Sequence, residues 1–263
     1  MTGAEVAVLG GRGKTGRAVA SALARRGARP RVVGRELVAD PVGALSGVGA
    51  VYVVAPNMYA DEPDYVSAVL TAARQAGVDR VVYHSVAAPY APGMPHHLGK
   101  AAAEDVVRRL AATWAILQPG AYMQNFVPAL RVEQPVLRVP YDVDRPFGLV
   151  DLADVATAAA TVLLDDAHAG ATYELGGPAL VTPRDVATAA SDVLGIDVPL
   201  ERVTPEEWAR TDGAGLGERE RAWLTAMFGY YDRHGLPAGS LPLRCLLGRA
   251  PADLWTVLSR ELG

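Results

Sequence analysis

The residues 8–17, VLGGRGKTGR, carry two overlapping phosphate-binding signatures. Gly13-Lys14-Thr15 has the ending of a G-x-x-x-x-G-K-[ST] loop, but that pattern requires a glycine where Val8 stands. Gly11-x-Gly13-x-x-Gly16 instead has the spacing of a dinucleotide turn. It follows the apolar run Val6-Ala7-Val8-Leu9 and precedes Ala18, Val19, Ala22 and Leu23, which share one helical face. In a strand, turn and helix of this kind, the glycines let the backbone approach a pyrophosphate. The free N–H groups at the helix start then bind it. Gly10, Gly11, Arg12, Gly13, Lys14, Thr15 and Gly16 are the expected cofactor contacts.

The second strand ends at Gly34-Arg35-Glu36, where a ribose 2′ substituent is read. Arg35 suits a 2′-phosphate, and Arg12 can join it. Glu36 can take the ribose hydroxyls instead, and both residues also fit solvated loop charges. NADP(H) is the preferred cofactor, with NAD(H) left open.

His96 and Lys100 stand four apart and share a helical face, where a histidine can donate a proton near neutral pH. Ser85 closes the strand Arg80–His84 at the carboxyl edge, where open α/β sheets bind ligands. Its hydroxyl either orients a substrate carbonyl or ties down the turn before Ala87. Tyr122 is the phenol after the strand Thr113–Leu117 that can replace an absent proton donor, unless its ring serves packing.

These residues need a frame. Apolar strands at Val6–Leu9, Arg31–Val33, Ala50–Val54, Arg80–His84 and Thr113–Leu117 alternate with helical patterns, predicting an α/β doubly wound parallel sheet. Helices are predicted at 15–26, 63–76, 98–111, 151–164, 182–194 and 205–211, with Thr182-Pro183 and Thr204-Pro205 as starts. Pro135, Pro140 and Pro146 break up the region after Phe126 and predict an excursion to a second lobe. The aromatic-rich stretch from Trp208 to Pro242 reads as a helical cap. Only about 16 residues separate the strand ending at Val33 from that beginning at Ala50, too few for both a helix and another strand.

At 263 residues, half of them hydrophobic, the chain suits one large α/β domain with an appendage. The net charge of −4, without a basic stripe, gives nucleic-acid binding no electrostatic support. No segment approaches a membrane span, and the amino end has no signal-peptide layout, so a cytoplasmic location is expected. The lone Cys245 excludes an internal disulfide and reads as a small buried apolar residue; no metal site is expected.

With these blocks assembled, the chain resembles the NmrA-like group of atypical short-chain dehydrogenase/reductases. The resemblance is carried by the turn Gly10–Gly16 and by the segments 77–85 (GVDRVVYHS), 95–100 (PHHLGK), 117–125 (LQPGAYMQN) and 247–251 (LGRAP). It implies a Rossmann domain over residues 1–165, with an excursion near 126–146. A smaller carboxy-terminal α+β substrate lobe follows over 166–263, and NADP(H) or NAD(H) lies between the two. It implies that Lys100 contacts the nicotinamide ribose and that His96 stands where ordinary short-chain reductases place a tyrosine. Ala55 and Pro56 would give backbone contacts to the cofactor. By their place at the carboxyl edge of the sheet, Asn57, Tyr122, Met123 and Asn125 are expected to face the substrate; Trp223 and Phe228 of the cap suit a flat apolar ligand, or else serve the core. A helix usual in the family after the second strand is missing from the pattern.

The activity expected is NADPH-dependent hydride transfer to a small quinone or an aromatic, polyketide-type ketone, because such acceptors tolerate late protonation. The absent tyrosine keeps two alternatives open: a non-catalytic NADP(H)-sensing regulator, and a non-redox cyclase or isomerase. A homodimer is also left open.

Overall fold

The computed structural model describes residues 3–263. β1 (Glu5–Leu9) leads through the glycine turn into α1 (Lys14–Arg25) and β2 (Arg29–Val33). Two short helices, α2 (Glu36–Ala39) and α3 (Pro41–Leu45), cross to β3 (Ala50–Val53). Then come α4 (Glu62–Gln75), β4 (Arg80–His84), α5 (Pro95–Leu110) and β5 (Thr113–Pro119). The excursion holds a 3₁₀ turn at Met123–Asn125, α6 (Val127–Leu130) and β6 (Leu137–Val139). α7 (Leu152–Leu164) and β7 (Ala171–Leu175) follow, then α8 (Pro183–Leu194), β8 (Leu200–Arg202), α9 (Pro205–Arg210) and α10 (Glu218–His234). α11 (Leu241–Leu247) and α12 (Leu254–Leu262) complete the chain.

Six strands form one parallel sheet in the order β2-β1-β3-β4-β5-β7. β3 and β4 are buried on both faces, which is why they read as apolar runs rather than alternating ones. One core, around Val8, Tyr52 and Leu117, is covered by α1, α7 and α11. The other, around Val51, Tyr83 and Ile116, is covered by α3, α4 and α5. The chain turns one way from β1 to β2 and the other way to β3, so a crevice opens at the carboxyl ends of β1 and β3. This is the doubly wound Rossmann architecture that the alternation predicts.

A third core belongs to the second lobe, where β6 pairs with β8 and α6, α8, α10 and α12 pack around them. Thr182 forms a capping box with Asp185, and Thr204 accepts from the Glu207 N–H at 3.0 Å.

Three expectations need correction. The short interval after β2 holds the covering element as α2 and α3, with the Asp40 carboxylate accepting from the Gly43 N–H at 2.9 Å to start α3. A boundary at 165 cuts the first lobe, because β7 pairs with β5 in the large sheet and α11 lies against its core. Cys245 is exposed on α11 rather than buried. Among the described residues no helix is long and apolar enough to cross a membrane.

Candidate active site

At the end of β1, Gly10 adopts φ +66°, a conformation glycine takes without strain, and a Cβ at Gly16 would run into the Gly10 carbonyl. The turn therefore packs tightly under the start of α1. Gly13 is the cap residue and offers no side chain, so the first-turn N–H groups of α1 have no side-chain acceptor. This bare helix start fits a pyrophosphate by shape and dipole.

From this turn a cleft of about 850 Å³ runs along the carboxyl ends of β1, β3, β4 and β5. Its far wall is Met227, Tyr231 and Leu236 of the second lobe. Of the expected residues, Gly10, Gly13, Lys14, Thr15, Gly16 and Arg35 line the cleft at one end. Ala55, Pro56, Asn57, Ser85, His96, Lys100, Tyr122 and Asn125 line the rest. Five do not: Gly11 packs on Val32, Arg12 reaches out to Glu36, and Met123 is sealed in the second-lobe core. Phe228 is committed to Trp208 and Tyr141, while Trp223 stands behind His96 with ring centres 6.1 Å apart.

At the ribose end, Glu36 accepts from the Gly34 N–H at 2.8 Å and from Arg12 at 3.2 Å. Its own backbone N–H, then that of Gly34, hold its carboxyl below the ordinary carboxylate range, with Arg12 adding a smaller pull. Lys14 donates to the Asn125 side chain at 3.2 Å, and burial lowers its pKa against a weaker opposing pull from Glu261.

Deeper in, Lys100 is buried on α5 and donates to Glu62 Oε1 at 2.7 Å and to the His84 carbonyl at 3.2 Å. Tyr83 donates to the same carboxylate oxygen at 2.6 Å, and Glu62 Oε2 has no partner among the described residues. The Ser85 hydroxyl donates to Glu104 Oε1 at 2.5 Å, and Gln118 donates to that oxygen at 2.7 Å. The only hydroxyl hydrogen of Ser85 is thus used on the buried Glu104 of α5, not in the cleft.

His96 follows Pro95 in the first turn of α5. Burial, then the nearby Lys100 charge and His97, push its pKa down to about 3, so the ring is neutral near pH 7. At that pKa the ring donates as a neutral imidazole N–H rather than as an imidazolium, and its buried Nδ1 has no partner among the described residues. His97 falls to about 4 by burial, opposed by hydrogen bonding at Ala88 and Ala87.

Sequence reasoning missed His84 and Glu62. His84, at the last position of β4, lies between two phenols: Tyr52 Oη is 2.6 Å from Nδ1 and Tyr122 Oη 3.1 Å from Nε2. Burial, then Lys100, lowers its pKa to about 3. A polar residue closing an apolar strand at the ligand-binding edge was the available signal. Met58, φ +49°, also lines the cleft as a non-glycine residue in left-handed backbone.

A doubly wound sheet, a bare glycine turn at its switch point and a cleft closed by a second lobe define a dinucleotide-binding protein of the Rossmann class. Within that class the chain belongs to the NmrA-like family, whose profile matches residues 38–256. An NAD(P)H azoreductase of Xenophilus azovorans is 31% identical over 182 residues, 67% of this chain and 62% of that protein. A Streptomyces griseus reductase of (4-alkanoyl-5-oxo-2,5-dihydrofuran-3-yl)methyl phosphate is 32% identical over 221 residues, 75% of this chain and 77% of that one. In fold, the chain is similar to an Escherichia coli NADPH-dependent quinone oxidoreductase (TM-score 0.84, 21% identity, 98% of this chain and 100% of the other). It is likewise similar to the triphenylmethane reductase of a Citrobacter species (TM-score 0.82, 22% identity, 98% and 100%).

Proposed function

We propose that the chain is an NAD(P)H-dependent reductase, preferring NADPH, that transfers hydride to a flat conjugated acceptor such as a quinone or an aromatic ketone. The observation that carries this reading is the single cleft joining the glycine turn to the His84, His96 and Tyr122 cluster under Tyr231 and Met227. A bound reduced nicotinamide supplies one hydride. The first-turn N–H groups of α1 would hold its pyrophosphate, Arg35 a 2′-phosphate, and the third N–H of Lys100 a ribose hydroxyl. Glu62 keeps Lys100 in place for that contact.

The relatives favour this acceptor class. An azo group, an unsaturated lactone, a quinone and a triphenylmethane dye are conjugated systems that spread the incoming charge. Such acceptors do not demand a strong acid at the instant of transfer, in keeping with a cleft whose histidines are held neutral.

Stopped-flow absorbance of NADPH, followed across a panel of quinones, conjugated lactones and polycyclic ketones, tests the reading. Oxidation with at least one acceptor is expected. Tight NADPH binding with no turnover across the panel would instead favour a sensor of the NADP+/NADPH ratio, the reading that the histidine at position 96 also allows.

A further inference from the structure

The cleft contains several groups that look able to donate a hydrogen to an acceptor, and the structure disposes of most of them. Ser85 gives its hydrogen to Glu104, Lys100 spends two of its three on Glu62 and the His84 carbonyl, and His96 carries no imidazolium proton near neutral pH. His96 keeps a single neutral N–H, a far weaker proton donor than an imidazolium, whereas Tyr122 carries a hydroxyl whose direction is decided by what stands behind it.

His84 is neutral, so it offers one N–H and one lone pair to two phenols. Two arrangements satisfy the ring. In one, His84 Nδ1–H donates to Tyr52 and Nε2 accepts from Tyr122. The O–H of Tyr52 then has no acceptor, because the phenol is fully buried and its only hydrogen-bond partner among the described residues is His84. In the other, Tyr52 donates to Nδ1 and Nε2–H donates to Tyr122, leaving no buried donor unsatisfied. Folded chains take the satisfied arrangement.

We infer that Tyr52 and His84 are positioning residues that turn the Tyr122 hydroxyl hydrogen out into the cleft, making Tyr122 the hydrogen-bond and proton donor to the bound acceptor. The assignment of Tyr122 to catalysis rests on the reductase reading above. The hydride adds to carbon, and the displaced electron pair settles on the acceptor's oxygen or nitrogen. That atom takes the Tyr122 proton, and the phenolate retakes one from water as product leaves. The His84 Nε2–H and the neighbouring Thr15 hydroxyl steady the phenolate in the interval. Burial raises the pKa of both phenols above the ordinary value, opposed at Tyr122 by the Thr15 hydroxyl, so both stay protonated until charge develops on the acceptor; Tyr52 passes no proton onward because it is sealed from solvent.

The test begins with the imidazole itself. Protein labelled with 15N-histidine, observed through long-range 1H–15N couplings with His84 assigned by its loss in His84→Gln, should show the Nε2–H tautomer. The Nδ1–H tautomer would overturn the inference, whether or not any acceptor is turned over. On an acceptor that is reduced, Tyr122→Phe should lower kcat by on the order of 100-fold with the NADPH Kd unchanged. Tyr52→Phe, which keeps the buried ring, should lower it by a smaller factor, roughly three- to tenfold. The double variant should be no slower than Tyr122→Phe alone; a further multiplicative loss would overturn the inference. A chain that reduces nothing yet shows the Nε2–H form would support the orientation and sink only the reductase reading.

Discussion

Lys100 has two roles that a single substitution confuses, because its ammonium neutralises a carboxylate that is only 1% exposed. Lys100→Met should destabilise the protein without cofactor by about 3–5 kcal/mol, since Glu62 is then a buried charge without its cation. Adding Glu62→Gln removes that charge and should restore most of the loss, while NADPH affinity stays reduced because the ribose donor is still missing. Urea unfolding and isothermal titration read the two effects separately; a Lys100→Met protein as stable as the parent would refute the pairing. Lys100 was legible from its spacing to His96. Glu62 was not, because Asp61-Glu62-Pro63-Asp64 reads as the acidic start of a helix, and nothing in the order of letters says which acid turns inward.

Among the elements, legibility followed burial. Strands covered on both faces and the helices α1 and α8 announce themselves by period, α8 by its cap as well, whereas the 17-residue α10, whose apolar residues form no clean stripe, reads only as part of an unplaced helical cap. Helices of four or five residues, such as α2 and α3, are too short for a period to show. The block 247–251 was recognisable as part of the resemblance but had no assigned task. In the structure Gly248, φ +66°, ends α11, and Arg249 reaches the buried Asp154 at 2.5 Å on the first turn of α7. The Ala252 N–H donates to the other oxygen of that carboxylate at 2.6 Å. The block is a strap that fixes the closing helices α11 and α12 to the Rossmann lobe. Asp154→Ala should cost about 1–3 kcal/mol, because the half-buried Ala252 N–H loses its acceptor and the strap loses its anchor, while the exposed Arg249 guanidinium turns to water. Asp154→Asn should cost less, since its amide oxygen can still accept from Ala252. Equal urea midpoints for the two variants would refute this account of the strap.

At the scale of the molecule, the two lobes meet over a set of histidines that the fold keeps uncharged. His84 closes β4, His96 and His97 open α5, and α10 leans on them through Trp223 while Glu220 receives a hydrogen bond from Asn57 at 3.4 Å. Burial drives the folded pKa values to about 3 for His84 and His96 and about 4 for His97, below the unfolded value of roughly 6.5. The unfolded chain therefore binds protons first as pH falls. Stability is complete above about pH 6.5 and declines steadily from there towards the folded values, by about 1.4 kcal/mol per pH unit for each histidine. All three together give roughly 4 kcal/mol per unit, a large fraction of the stability of an ordinary domain. Asp151 acts in a separate window. Burial opposes its ionisation, but the Arg260 and Gln124 hydrogen bonds prevail and lower its pKa, so its contribution is lost only below about pH 4. Urea midpoints between pH 7.5 and 5 isolate the histidine effect. They should hold nearly level down to about pH 6.5 and fall steeply below it, and His97→Gln should flatten that slope by about a third. A midpoint independent of pH over the interval would show that these rings admit protons in the folded state, and that the cleft between the lobes is wetter than its packing implies.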